Sequence, residues 1–125
     1  MSALEAIIEG ALDDRPDVAA LACFDGGAGL LLGMFVKGDV PREVVEMAAM
    51  SAPELCEVPA IAGGFAEEGE PCPEAFVASA SWVHAFARVP ARPDLVVMGL
   101  AEAGTNITLL RAWLGEVATK VGRSS

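Results

Sequence analysis

The 125-residue sequence predicts one α/β domain, an antiparallel sheet of five strands flanked by helices. Three observations carry that expectation. Short apolar runs suited to strands alternate with amphipathic stretches of helical period. Gly, Pro and Asp punctuate them where turns are needed. The resulting order is α-β-β-α-β-β-β-α, with no internal repeat, so residues 1–125 read as a single domain.

Ser2 to Asp14 reads as an amphipathic helix, because Leu4, Ile7, Ile8, Ala11 and Leu12 follow the helical period while Glu5 and Glu9 lie on the other face. Ser2 caps it, and Glu5 three residues later completes a capping box. Arg15 and Pro16 end it, since proline disfavours helix in the residue before it. Val18 to Phe24 is a nearly all-apolar first strand. Asp25-Gly26 matches the tight hairpin signal. Gly29 to Val36 is the second strand, where Gly33 marks a bulge or a close backbone approach.

Lys37-Gly38-Asp39 turns the chain, and Pro41 to about Ala52 forms a second helix capped by Asp39. Val44, Met47 and Ala48 mark one of its faces; Arg42, Glu43 and Glu46 mark another. Glu57 to Pro73, rich in Gly, Pro and Glu, reads as a long acidic loop. Phe76 to Val89 is strand-like. It reads as two strands, Phe76–Ala78 and Trp82–Ala87, with a tight break near Ser79–Ser81; one bent strand is the alternative. Pro90 to Asp94 is a turn. Leu95 to Leu100 is a fully apolar last strand, expected at the centre of the sheet. The last helix runs from about Asn106 to Val121, capped by Thr105 or Asn106. Ile107, Leu110, Trp113, Leu114, Val117 and Val121 form its apolar stripe, with Arg111, Lys120 and Arg123 on the other side.

Composition narrows the function. Hydrophobic residues make up 54% of the chain, which excludes disorder. The excess implies a second buried surface, with self-association as its outlet. Net charge is −10 and unevenly spread. Residues 1–74 hold 15 acidic and 3 basic side chains, a balance of −12; residues 75–125 hold 3 acidic and 5 basic, a balance of +2. Phosphate backbones and anionic membranes repel such a chain, so no nucleic acid or membrane partner is expected. A basic protein surface is the electrostatic complement, and solubility is the plainer use of the charge. The longest apolar stretch, Ala28 to Val36, is far shorter than the ~20 residues a bilayer requires. The N-terminus lacks a basic n-region. The three cysteines are scattered, so a reducing compartment and a cytoplasmic location are expected.

No catalytic constellation emerges. His84 is the sole histidine and has no nucleophile in a recognisable motif, so it reads as structural. Cys23 lies in an apolar strand and reads as inert core, while Cys56 and Cys72 flank the acidic loop, where negative charge raises a thiol's pKa. Gly26, Gly27, Gly29 and Gly33 match neither a P-loop nor Gly-x-Gly-x-x-Gly, and they sit in a hairpin instead of before a helix. Glu67-Glu68-Gly69-Glu70 lacks the ligand order of a calcium loop. Trp113 falls on an apolar stripe and reads as core. Trp82 reads equally as core or as an interface anchor. The expectation is therefore no catalytic residue, no metal and no cofactor.

Three stretches resemble a known family: the hairpin Val18-Ala-Ala-Leu-Ala-Cys-Phe-Asp25-Gly26 running on to Leu30-Leu-Leu-Gly33, the strand Leu95-Val-Val-Met-Gly-Leu-Ala101, and Gly104-Thr-Asn-Ile-Thr-Leu-Leu-Arg111 opening the last helix. Together, over about residues 3 to 121, the chain resembles the Roadblock family, named for a dynein light chain. Asn106-Ile107-Thr108 stands where members carry an Asn-Leu-Gly-like start, so the glycine is missing. The resemblance implies a profilin-like fold. It implies homodimers or heterodimers that pair the third strand and second helix, here about Phe76–Ser79 and Val44–Met50. The implied dimer interface includes Val44, Met47, Met50, Phe76 and Ala78; apart from the resemblance, Trp82 is the candidate partner-binding residue, because tryptophan is enriched at interface hot spots. Such dimers serve small Ras-like GTPases or scaffold and motor complexes, and bacterial members stimulate a partner's GTP hydrolysis without being enzymes. The expected function is thus a non-catalytic dimeric adaptor or regulator. The alternative is a small-molecule sensor with a pocket between helix and sheet.

Overall fold

A computed structural model of the chain describes residues 2–38, 40–48 and 74–124. The elements are α1 (Ala3–Asp13), β1 (Val18–Asp25), β2 (Leu30–Val36), α2 (42–48), β3 (Glu74–Ala78), β4 (Trp82–Val89), β5 (Arg92–Glu102) and α3 (Ile107–Ser124). All strands pair antiparallel in the order β2-β1-β5-β4-β3. The apolar run Leu95–Leu100 thus lies at the centre, as a strand buried on both faces must. Asp39, residues 49–52 of the expected second helix, and the Glu57–Pro73 loop lie outside the described residues.

Two layers of core sit on the two faces of this sheet. On one face, α1 and α3 cover Leu21 and Cys23 of β1, Leu95, Val97 and Ala101 of β5, and Val83, Ala85 and Val89 of β4. Ile8 and Leu12 of α1 and Leu110, Leu114, Val117 and Val121 of α3 fill that layer. On the other face, Ala20, Ala22, Met34, Phe86, Val96, Met98 and Leu100 gather around Val45 of α2. No polar or charged side chain is buried among the described residues. No described helix is long and apolar enough to cross a membrane.

Local chemistry explains where elements start and stop. The Glu5 N–H donates to Ser2 Oγ at 3.1 Å, so Ser2 caps α1 as expected. The other half of the box differs: the Glu5 carboxylate accepts from the Ser2 hydroxyl at 3.2 Å. At the far end of α1, Lys37 Nζ donates to the carbonyls of Leu12 at 2.6 Å and Arg15 at 3.1 Å. A cation placed there adds a charged donor to carbonyls that already accept backbone N–H groups, and it complements the helix dipole. Arg15 forks onto Asp17 at 2.8 and 2.7 Å and lies 5.5 Å from the Trp113 ring centroid. The guanidinium holds the Asp17 carboxyl below the usual aspartate range through hydrogen bonding first. Asn106, and not Thr105, caps α3: its Oδ1 accepts from the Leu109 N–H at 3.1 Å.

Two turns differ in detail from the sequence reading. The β1–β2 connection spans residues 26–29 instead of the two-residue Asp25-Gly26 turn. The Asp25 carboxylate accepts from the N–H groups of Gly27 and Ala28 at 2.9 and 3.1 Å, and Gly29 takes φ +70° to close the loop. The Pro90–Asp94 turn contracts to Pro90-Ala91, because Arg92 already pairs with Val89. Between β3 and β4 the chain does break: the Ser79 N–H donates to the Trp82 carbonyl at 2.8 Å. At Gly33 both expected features occur. The register slips beside it, with Cys23 opposite Gly33 and Phe24 opposite Leu31, and a Cβ there would lie 3.1 Å from Ile8 Cδ1.

Two stability outcomes follow. Lys37→Met removes both carbonyl contacts while keeping the aliphatic stem, and urea unfolding should show a loss of about 1–2 kcal/mol. A Cβ at Gly99 would lie 3.4 Å from Trp113 and 3.6 Å from Leu114. Gly99→Val therefore pushes α3 off the sheet, and unfolding should become easier by about 1–3 kcal/mol.

Candidate protein-interaction face

Among the described residues the two faces of the sheet are covered unequally. The α1 and α3 stripes close one face, whereas only seven described residues of α2 lie over the other. On α2 a single residue, Val45, is fully buried at 1% exposure. The helical period then turns Val44 and Met47 away from the sheet, where they are 52% and 71% exposed. Such exposure of large apolar groups on one helix face marks a surface suited to another protein.

Beside Val44 lies an apolar cleft of about 430 Å³, lined by Val40, Pro41, Val44, Trp82, His84 and Leu100. Alternation along β4 places Trp82, His84 and Phe86 on this side and Val83, Ala85 and Ala87 on the helix side. Trp82 is half-buried. It packs against the α2-side core and also lines the cleft. His84 is half-buried too, and burial pushes its pKa below the ordinary histidine value. It is therefore neutral near pH 7 and presents a weakly polar edge to an otherwise apolar wall.

β3 bounds the sheet next to this cleft, paired only with β4 among the described residues. Register and alternation sort its side chains. Val77 stands opposite His84, on the α2 side, and is 38% exposed. Phe76 and Ala78 stand opposite Ala85 and Val83, so they belong to the other face. Phe76 packs against the α1–α3 core and does not join Val44 and Met47. The sequence does not reveal which face each of the three side chains takes, because all are apolar and carry no alternation signal. Met50 lies outside the described residues. Val40, Pro41, Val77, His84 and Leu100 were missed as parts of one surface; a sequence signal exists only for the His84–Trp82 spacing of two, which puts both on one strand face.

The chemistry of the remaining candidates is bland. Cys23 is buried and its thiol is pushed up to about 11, by desolvation first and Asp25 second, so it is a poor nucleophile. Cys56, Cys72, Glu67, Glu68 and Glu70 lie outside the described residues. Among the described residues no three His, Cys, Asp or Glu side chains are grouped to hold a metal ion. Gly27 and Gly29 serve the Asp25 turn, and Gly33 serves the contact with α1. Trp113 packs on the helix-side core beneath Arg15.

No family model and no curated protein matches the sequence. Solved structures match over nearly the whole chain. A Roadblock/LC7 domain from Streptomyces avermitilis aligns with TM-score 0.70 at 17% identity, covering 94% of this chain and 92% of that one. MglB from Myxococcus xanthus aligns with TM-score 0.69 at 17% identity, covering 96% and 92%. LokiProfilin2, solved in complex with rabbit actin, aligns with TM-score 0.60 at 14% identity, covering 98% of each chain. At these identities the likeness speaks to architecture alone. The chain thus has the profilin-like fold of Roadblock/LC7 domains.

Proposed function

We propose that this chain is a non-catalytic adaptor or regulator that pairs with a second copy through its α2 and β3 side and docks another protein on the joined surface. The observation that carries the reading is the exposure of Val44 and Met47 beside an apolar cleft at the β3 end of the sheet. A two-fold contact is self-complementary, so one apolar patch per subunit is enough to build it. Antiparallel pairing of two β3 edges would also satisfy backbone groups and remove an open sheet edge. Among the solved relatives in fold, one is described as MglB with a tetrameric arrangement, which supports association as a use of this architecture.

The partner class comes from the Roadblock resemblance: a small Ras-like GTPase or a scaffold complex. Any effect on GTP hydrolysis is expected to be conformational, with Arg42, Arg88 and Arg92 given no finger role. The acidic charge of the chain favours a basic docking surface on that partner. A cytoplasmic location and the absence of any catalysis of its own belong to the same reading.

The cleft supports a second reading. Its volume of about 430 Å³ falls within the range of small-molecule sites, and it lies between helix and sheet. Quenching of Trp82 by small aromatic compounds at micromolar concentration, without change in solution mass, would favour a sensor.

Light scattering across a concentration series tests the leading reading. The wild-type chain should have twice its monomer mass. Met47→Glu should weaken self-association by at least about a hundredfold while leaving circular dichroism unchanged, because a charge is buried in the contact. A wild-type monomer at all concentrations would defeat the proposal. pH gives an independent check. Covering the cleft further desolvates His84, so the pair favours its neutral form. Association should weaken as pH falls from about 7 to about 5, and His84→Gln should lose that dependence.

A further inference from the structure

We propose that the opposite edge of the sheet, strand β2, takes up an extended basic segment of a partner protein as a sixth strand. This inference concerns a surface remote from α2 and stands whether or not the chain dimerises there. β2 is the terminal strand of the sheet and pairs only with β1 among the described residues. Its sequence, Leu30-Leu-Leu-Gly-Met-Phe-Val36, carries no charge and no proline. Open edges are ordinarily guarded by such residues, because their free N–H and C=O groups template pairing. Among the described residues the guard here is the irregularity at Leu32, which leaves Gly33–Val36 regularly paired with β1. Leu30 and Leu32 are 57% and 37% exposed.

Charge identifies the occupant. α1 packs over β1 and β2, with α3 as its neighbour on the inner side. Ile7 and Ala11 of α1 join the core shared with α3. The helical period then puts Glu5 and Glu9 on the outer flank, along the open edge. Glu5 confirms this placement: its Cγ lies 3.7 Å from where a Cβ on Gly33 would be. Lys37, the basic residue that follows β2, is engaged by the carbonyls of Leu12 and Arg15. An apolar edge beneath an acidic rail disfavours a second copy, because two-fold pairing of β2 edges would set Glu5 and Glu9 of both chains along one seam. A strand with Lys or Arg at alternate positions and aliphatic residues between them is complementary. Its backbone completes the ladder, and its cations face the rail.

The test uses the full chain and a synthetic peptide of about ten residues alternating Lys and Val, long enough for a typical strand. Controls are the Glu–Val counterpart and a Lys–Val peptide interrupted by proline. Amide exchange followed by NMR should slow at Gly33–Val36 on adding the Lys–Val peptide, and neither control should produce this. Glu5→Gln with Glu9→Lys should weaken binding about tenfold. Gln at position 5 keeps an acceptor for Ser2, so the start of α1 is preserved. Protection elsewhere, equal binding of the proline peptide, or indifference to the double substitution would overturn the proposal. So would protection of Gly33–Val36 on raising the protein concentration alone, which would give the edge to a second copy.

Discussion

A sheet that is apolar on both faces has to be covered on both faces, and the described residues cover them unequally. β1, β5 and β4 contribute buried side chains to each layer: Leu21, Val97 and Ala85 to one, Ala22, Met98 and Phe86 to the other. Two helices with continuous apolar stripes shut the first layer. The second rests on α2, whose one fully buried residue, Val45, anchors a helix with Val44 and Met47 facing outward. Apolar burial contributes roughly 25 cal/mol per Å², so leaving such groups in water forgoes stabilisation that another chain can recover. The location of the candidate interface follows from that asymmetry.

The sheet's two edges divide the remaining possibilities. β3 ends the sheet beside the cleft and presents Val77 on the α2 side. β2 ends it beneath Glu5, and the helical period sets Glu9 one turn further along the same flank of α1. One edge therefore adjoins an apolar, weakly polar wall suited to self-pairing, and the other adjoins an acidic rail suited to a basic strand. The helix-side layer is locked between them by Arg15, which joins Asp17 to the face of Trp113, and by Lys37 at the end of α1. These contacts tie α1, the β1 end and α3 together.

Much of the architecture was legible before any coordinates. Leu95–Leu100 reads as a central strand because nothing polar interrupts it, and the α3 stripe from Leu110 to Val121 reads as a core helix because its period is unbroken. Turn chemistry was legible only in part. Asp25-Gly26 carries a two-residue hairpin signal, yet the Asp25 carboxylate captures two amides and enlarges the loop. The site was least legible. Phe76-Val77-Ala78 has no polar alternation, so its parity depends on pairing with β4, which a single strand cannot reveal. Val40, Pro41 and Leu100 meet Trp82 and His84 only through the β1–β5–β4 order, a non-local property.

The central claim is that the α2 and β3 side is the surface completed by another copy of this chain. Hydrogen–deuterium exchange of the wild-type protein, compared between dilute and concentrated solution, tests it most directly. The account predicts that concentration slows exchange in residues 42–48 and in Glu74–Ala78, with the α1 and α3 amides unchanged. Association accompanied by protection only in α1, α3 or β2 would contradict it.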